Sequence, residues 1–479
     1  MKTTLLKGYE LVIGLEVHVE LKTRTKIFCG CSTEFGAEPN THVCPVCMGM
    51  PGTLPVLNER VVEYAVKAGL ATHCRIARFS KQDRKNYFYP DLPKAYQISQ
   101  YDLPLCTEGH LEIPAGDGVR RVGITRIHIE EDAGKLIHTK DGGTLCDYNR
   151  CGVPLIEIVT EPDLRSAEEV VACLRKLRAI LLYTGVSDCK MQEGSLRCDV
   201  NLSLHKPGAP FGTRTEMKNL NSFQFIAKAV EYEAVRQAGL LEAGERVTQE
   251  TRRYDQASGK TFSMRSKEDA DDYRYFPDPD LVPIVLTDEQ IEALRSAIPE
   301  LPDVKRARFE QTYGLSAQEA ELLVSDREIA AYFEAAAADC ADVKTLAHLL
   351  TGEVFRLLPP EEPAIPIAPA HLAQTADLLA AGRLNSATAK RLIGRMWRSD
   401  ADPAELADTD DLWQIHDPDR LRPVVAGVLA ENPKAVASYH KGKVQAIQAL
   451  IGQAMGAVGG RANPAVLRAL MERSLEELR

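Results

Sequence analysis

Apolar and polar residues alternate one for one in several short stretches of the N-terminal half of the chain. Along residues 14–21, Leu15, Val17, Val19 and Leu21 fall on one face of an expected β-strand, and Glu16, His18 and Glu20 on the other. Strand side chains point to opposite faces with period two. Residues 126–130 repeat the pattern and run into Glu131 and Asp132. Residues 198–204 set Asp199, Asn201 and Ser203 on one side, and residues 213–218 do the same for Arg214, Glu216 and Lys218. Residues 155–159 place one carboxylate, Glu157, in an otherwise apolar strand. A single strand of this kind reads most simply as a solvated outer face. The recurrence of Glu, Asp, His and Asn supports a second reading. If the strands share a sheet, that face is an acidic floor of oxygen ligands and one imidazole, suited to Mg²⁺ holding nucleotide phosphates.

The pattern changes near residue 290, from short alternating strands with Gly-Pro turns to a helix-forming sequence rich in Ala, Leu, Glu and Arg. The first helix is expected over 286–299, with Thr287-Asp288-Glu289-Gln290 as an acidic start. Others are expected at 304–313, 316–324, 326–339, 342–358, 370–382 and 386–398. Residues 359–366, with four prolines, read as a hinge, and Asp400-Ala401-Asp402-Pro403 as a further boundary. Two more helices are expected, over 444–455 and after Pro464. The whole reads as an α+β chain, long enough for about three domains.

Composition sharpens this. The net charge is −10, so nucleic acid would have to be met by local basic patches. Residues 431–479 carry seven basic residues against four acidic ones. That helical tail suits a nucleic-acid backbone about as well as it suits a plain solvated face. No apolar run approaches the roughly 20 residues of a membrane helix. The N-terminus lacks a signal-peptide pattern, so a soluble protein of the reducing cytoplasm is expected.

In that setting Cys29-Gly30-Cys31 and Cys44-Pro45-Val46-Cys47, twelve residues apart, have the spacing of a closed tetrahedral Zn²⁺ site, hence a structural one. The other eight cysteines, Cys74, Cys106, Cys146, Cys151, Cys173, Cys189, Cys198 and Cys340, read as small core hydrophobes. The aromatic runs Tyr87-Phe88-Tyr89 and Tyr273-Arg274-Tyr275-Phe276 suit an interface, a base-stacking surface or a plug at the core edge. Gly259-Lys260-Thr261 has Tyr254 where a phosphate-binding P-loop needs its first glycine. No Gly-x-Ser-x-Gly elbow and no evident cysteine nucleophile occur, so a covalent hydrolytic step would fall to another chain.

Long ordered motifs then identify a family resemblance. Residues 14–21 (GLEVHVEL), 84–91 (RKNYFYPD), 128–135 (HIEEDAGK), 218–223 (KNLNSF) and 272–277 (DYRYFP) resemble the B subunits of the tRNA-dependent amidotransferases, from about residue 8 to the C-terminus. The resemblance implies an N-terminal antiparallel-sheet cradle domain over 1–290, with the zinc site at 29–47. A helical domain over 291–405 and a YqeY-like helical tail over 406–479 that contacts tRNA would follow. It implies ATP-dependent phosphorylation of the side-chain carboxylate of Glu-tRNA(Gln) or Asp-tRNA(Asn). Ammonia channelled from an amidase A subunit would then displace phosphate. The expected partners are that amidase, a small C subunit and the misacylated tRNA, with a cognate aminoacyl-tRNA synthetase as a further candidate.

By the same resemblance Glu16, His18 and Glu131 fall at Mg²⁺, with Glu130, Asp199 and Glu216 as further ligands or their partners. Glu16, His18, Glu130 and Glu131 form the expected catalytic set. Strand alternation favours Glu130 over Glu131, so the two arguments conflict. Lys85, Asn219 and Ser222 are candidates for nucleotide or substrate, although Asn221 or Ser222 could simply cap a helix over 223–238. Two other classes fit parts of the pattern: a zinc-stabilised tRNA-binding scaffold without chemistry, and a self-contained ligase using free ammonium.

Overall fold

The computed structural model describes residues 6, 8–116, 118–266, 273–359 and 364–478. The chain divides into two compact units, Met1–Pro302 and Asp303–Arg479.

The first unit is built on a nine-stranded sheet. Its strands are β1 (Glu10–Glu20), β2 (Arg75–Ile76), β3 (Cys106–Ala115), β4 (Gly118–Glu131), β5 (Pro154–Thr160), β6 (Leu196–His205), β7 (Thr215–Lys218), β8 (Glu250–Asp255) and β9 (Lys260–Ser266). Their order across the sheet is β9-β8-β7-β6-β1-β5-β4-β3-β2. Every pairing is antiparallel except β7 with β8. The expected alternation holds on the central strands. Leu15, Val17 and Val19 are buried on the side where Ile127, Ile129, Ile156, Ile158, Cys198 and Val200 also lie.

Three helices cover that apolar side: α1 (Glu59–Ala71), α2 (Ala167–Thr184) and α3 (Phe223–Glu242). Each begins at a side-chain cap, in which Asn58, Ser166 and Ser222 accept a bond from the backbone N–H of Arg60, Glu169 and Phe225. The α2 helix stops at Gly185, whose φ of 70° is the left-handed conformation that a glycine adopts without strain. The helix expected at 286–299 forms as Asp288–Ser296, with a capping box between Thr287 and Gln290. It buries Ile291 in the core of the sheet unit.

The second unit is helical. Pro302–Tyr313, Ala317–Val324, Arg327–Ala338, Pro369–Ala380 and Ser386–Met396 form close to their expected positions. The single helix expected over 342–358 instead runs as an α-helix Val343–Leu349, a π-helical turn Leu350–Val354 and a short helical stretch Phe355–Leu357. Thr351 Oγ1 bonds the carbonyl of Ala347 at 2.8 Å within that widened turn. The expected hinge falls partly on 360–363, outside the described residues. Helices Pro418–Glu431, Pro433–His440, Ala446–Ala457 and Pro464–Glu477 close the chain around Leu421, Val425, Leu450, Leu467 and Met471. Among the described residues no helix is long and apolar enough to cross a membrane.

Candidate functional site

Strand register, rather than chain proximity, assembles the polar face. On β1, His18 stands opposite Glu157 of β5 and Arg197 of β6, and Glu16 stands opposite Asp199. Glu157 in turn faces His128 of β4, and Asn201 faces Glu216 of β7. Directly opposed residues share a face, so the side chains of five strands converge there.

They form two donor sets. In the first, His18 Nε2 lies 3.5 Å from Glu130 Oε1 and 3.7 Å from Glu157 Oε2. Buried His128 backs this set, 3.3 Å from Glu157 and 3.6 Å from Glu130. Burial alone would lower the His128 pKa, but the hydrogen bonds of Glu130 and Glu157 raise it to about 9. The Glu157 carboxyl is held low despite its burial, first by the His128 hydrogen bond.

In the second set, Glu16, Asp199 and Glu216 bring one oxygen each to within 4.8 Å of the others. Asn201 Nδ2 donates to Glu16 Oε1 at 2.8 Å, and Thr251 Oγ1 donates to Glu216 Oε2 at 2.7 Å. Burial and then the Glu157 charge push the Glu16 pKa up, a repulsion that a bound cation relieves. Oxygen donors with one imidazole fit a hard divalent cation. A cleft of about 260 Å³ opens beside Glu16, with Asn201, Phe211 and Arg214 on its walls.

Glu131 belongs to neither set. As the last residue of β4 it takes the apolar side, where Lys94 pairs with Oε1 and the Ile98 N–H donates to the same oxygen at 2.9 Å. The expected place for Glu131 beside Glu16 and His18 therefore does not match the geometry. Alternation along β4 puts Glu130 beside His18 instead, while Glu16 falls in the other set, so the expected single group of Glu16, His18 and Glu131 is divided. Glu131 instead lines a small cavity of about 110 Å³ with Lys26, Cys29, Cys47 and Lys94.

Lys85 Nζ sits 4.9 Å from the ring centre of Tyr273 and 5.9 Å from that of Tyr87. The two expected aromatic runs meet: Tyr273 packs edge-on to Tyr87 and to Tyr275, and Tyr275 stacks on Tyr101 at 4.4 Å. Burial raises the Tyr275 hydroxyl, and the charges of Glu130 and Glu157 add to it, so these rings border the first donor set. Asp272 of the same motif lies outside the described residues. Asn219 and Ser222 have structural partners instead. Asn219 Nδ2 donates to the Tyr254 carbonyl at 3.1 Å, and Ser222 caps α3.

The four paired cysteines converge, with sulfurs within 4.8 Å of one another. Four thiolates around one ion with bonds of about 2.3 Å suit Zn²⁺. A hydrogen bond from Cys29, with help from the Lys26 charge, pulls the Cys47 thiol down to about 5. Of the remaining cysteines, Cys146 and Cys340 are partly exposed rather than core residues, whereas the other six are buried.

Sequence reasoning placed Asn201 and Glu157 on polar strand faces but gave no role to them, nor to His128 and Thr251. Glu157 did stand out as a lone carboxylate, but its place opposite His18 depends on which strands neighbour β1.

An acidic sheet face of this kind, followed by a helical unit, defines the class. Residues 11–292 match the family model of the GatB/GatE catalytic domain, and residues 331–475 match that of the GatB domain. The chain belongs to the GatB family. Its relatives include the B subunit of the aspartyl/glutamyl-tRNA(Asn/Gln) amidotransferase of Caldicellulosiruptor saccharolyticus, 54% identical over 98% of this chain and 100% of the relative. The B subunits of the same enzyme in Thermoanaerobacter sp. X514 and Carboxydothermus hydrogenoformans are 53% and 52% identical. They cover 98% and 99% of this chain, each over 100% of its own length.

Proposed function

We propose that this chain amidates Glu-tRNA(Gln), Asp-tRNA(Asn) or both, as the carbon–nitrogen ligase component of an amidotransferase. ATP phosphorylates the side-chain carboxylate, and ammonia then replaces phosphate. The observation that carries this reading is the pair of donor sets, His18–Glu130–Glu157 and Glu16–Asp199–Glu216, on one sheet face beside the Arg214 cleft. A carboxylate resists amide formation because its leaving group would be oxide, and phosphorylation supplies a better one. Divalent cations, when bound, screen the repulsion between nucleotide phosphates and the attacking carboxylate.

The chain's own residues do the rest. Asn201 and Thr251 orient Glu16 and Glu216, and His128 holds Glu130 and Glu157 toward His18. Arg214 and Lys85 supply positive charge for phosphate and carboxylate oxygens. The thiolates of Cys29, Cys31, Cys44 and Cys47 hold a structural Zn²⁺ that fixes the 29–47 loop. Only neutral ammonia attacks, so it arrives from an amidase partner by a water-excluding channel. That partner and a small third chain complete the assembly in the cytoplasm. Residues 1–290 form the catalytic cradle, 291–405 a helical domain, and 406–479 a helical tail that meets the tRNA backbone through the basic residues of its 431–479 stretch.

The test is amidation of Glu-tRNA(Gln) by the assembled complex with ATP, Mg²⁺ and glutamine, comparing wild type with His18→Ala. The expected result is loss of amidated tRNA while glutamine hydrolysis persists. Equal amidation by both proteins refutes the assignment of the acidic face.

A further inference from the structure

Glu216 and Lys218 lie two residues apart on β7 and so project to the same face. Lys218 Nζ reaches Asp199 Oδ2 at 2.5 Å and Glu216 Oε1 at 3.3 Å. An ammonium therefore already occupies two of the three carboxylates that make up the second donor set. Two further contacts to this set are of another kind. Asn201 and Thr251 are neutral donors, bonded to Glu16 Oε1 and Glu216 Oε2. Neutral donors can keep their bonds when a cation arrives, since they orient the carboxylates without competing for charge. The ammonium cannot share the same oxygens with a divalent ion, because like charges a few ångströms apart repel strongly.

Lys218 also reaches solvent. Its side chain is 39% exposed, on a flexible four-carbon stem.

We propose that Lys218 is a tethered counter-ion of the Glu16–Asp199–Glu216 set, displaced when a divalent cation seats there and then turned toward the phosphate groups of the bound nucleotide. This rests on the reading of that set as a cation site and adds a positioning residue to it. The consequence is a coupling. Cation and nucleotide favour the same position of Lys218, so each strengthens the binding of the other, and by thermodynamic linkage the two effects are equal. Without nucleotide, the lysine competes with the cation.

The test measures Mn²⁺ binding to the full chain by electron paramagnetic resonance, with and without ADP, for wild type, Lys218→Met, Lys218→Arg and Glu216→Gln. Lys218→Met is expected to bind Mn²⁺ about tenfold more tightly than wild type without nucleotide, and to lose the ADP-dependent gain. Lys218→Arg, which keeps the charge, is expected to stay near wild type. A merely structural lysine would not tighten cation binding when removed. Unchanged or weaker Mn²⁺ binding in Lys218→Met, with Glu216→Gln clearly impaired, overturns this inference alone. Equal binding by Glu216→Gln and wild type overturns the cation-site reading and this inference with it.

Discussion

Exchanging the two adjacent acids at the end of β4 for their amides, one at a time, separates the two roles that the geometry gives them. Glu130→Gln removes a charge from the His18 set, while Glu131→Gln removes the partner of Lys94. Both members of the Glu131–Lys94 pair are nearly buried, with side chains 3% and 11% exposed. Removing one partner of such a pair leaves an uncompensated charge and costs about 3–5 kcal/mol. Lys94 can shed its proton once the carboxylate is gone, so the lower end is expected, about 3 kcal/mol. The sheet unit runs to Pro302, and an unfolding entropy of about 2.1 cal/mol/K per residue gives it roughly 0.6 kcal/mol/K. The expected melting shift for Glu131→Gln is therefore about 5 °C downward, with Mn²⁺ affinity at the His18 set unchanged. Glu130→Gln is expected to lower the melting temperature by less, since buried His128 keeps Glu157 at 3.3 Å, and to lose at least about tenfold in that affinity, since cation binding follows the ligand charge count. Differential scanning calorimetry and isothermal titration on the same preparations check both. Loss of the ion in Glu131→Gln with its retention in Glu130→Gln refutes the argument from strand alternation.

Fully buried Glu233 of α3 accepts from Arg236, Gln237, Thr215 and Thr261, and Arg252 lies 3.3 Å away, so Glu233→Ala should cost about 3–5 kcal/mol in urea unfolding. Burial raises its carboxyl pKa, but the Arg236 bond and its other partners bring it below the ordinary 4.5. Its stabilisation is thus present above pH 4.5 and fades as pH falls through the lower folded value, and Glu233→Gln should flatten this acid limb; an unaltered acid limb would contradict the assignment. Purified protein should carry about one zinc per chain by mass spectrometry, and Cys44→Ser should lose it and expose Cys29 and Cys31 to alkylation. A wild-type chain free of zinc, with all four thiols reactive, would show the cluster to be metal-free. Ser222→Ala should lower stability by about 1 kcal/mol as a lost helix cap and leave the KM for ATP unchanged; a raised KM would return Ser222 to the nucleotide site.

What could be read from the chain alone followed the range of the interactions concerned. The period-two runs around Glu16, His128, Asp199 and Glu216 became strands of one sheet with a common apolar side, covered here by α1, α2 and α3. The caps at Thr287 and Ser222 are set by residues three positions apart, so they too were legible. Glu157 shows where this stops. It lies about 140 positions from His18, and nothing local indicates that β5 rather than another strand lies beside β1. Glu131 shows a second limit, since family likeness and strand geometry disagree there. Alternation is a hard constraint inside a paired strand: a one-residue slip on β4 would bury Glu130 among the isoleucines and expel Ile127 and Ile129 from the core. The final residue of β4 still finds a charged partner on the apolar side, the nearly buried Lys94. Two adjacent carboxylates are thereby committed to opposite sides of the sheet, Glu130 to the cation-ready face and Glu131 to the cavity beside the cysteines. Neither carboxylate can take the place of the other without unpairing the sheet.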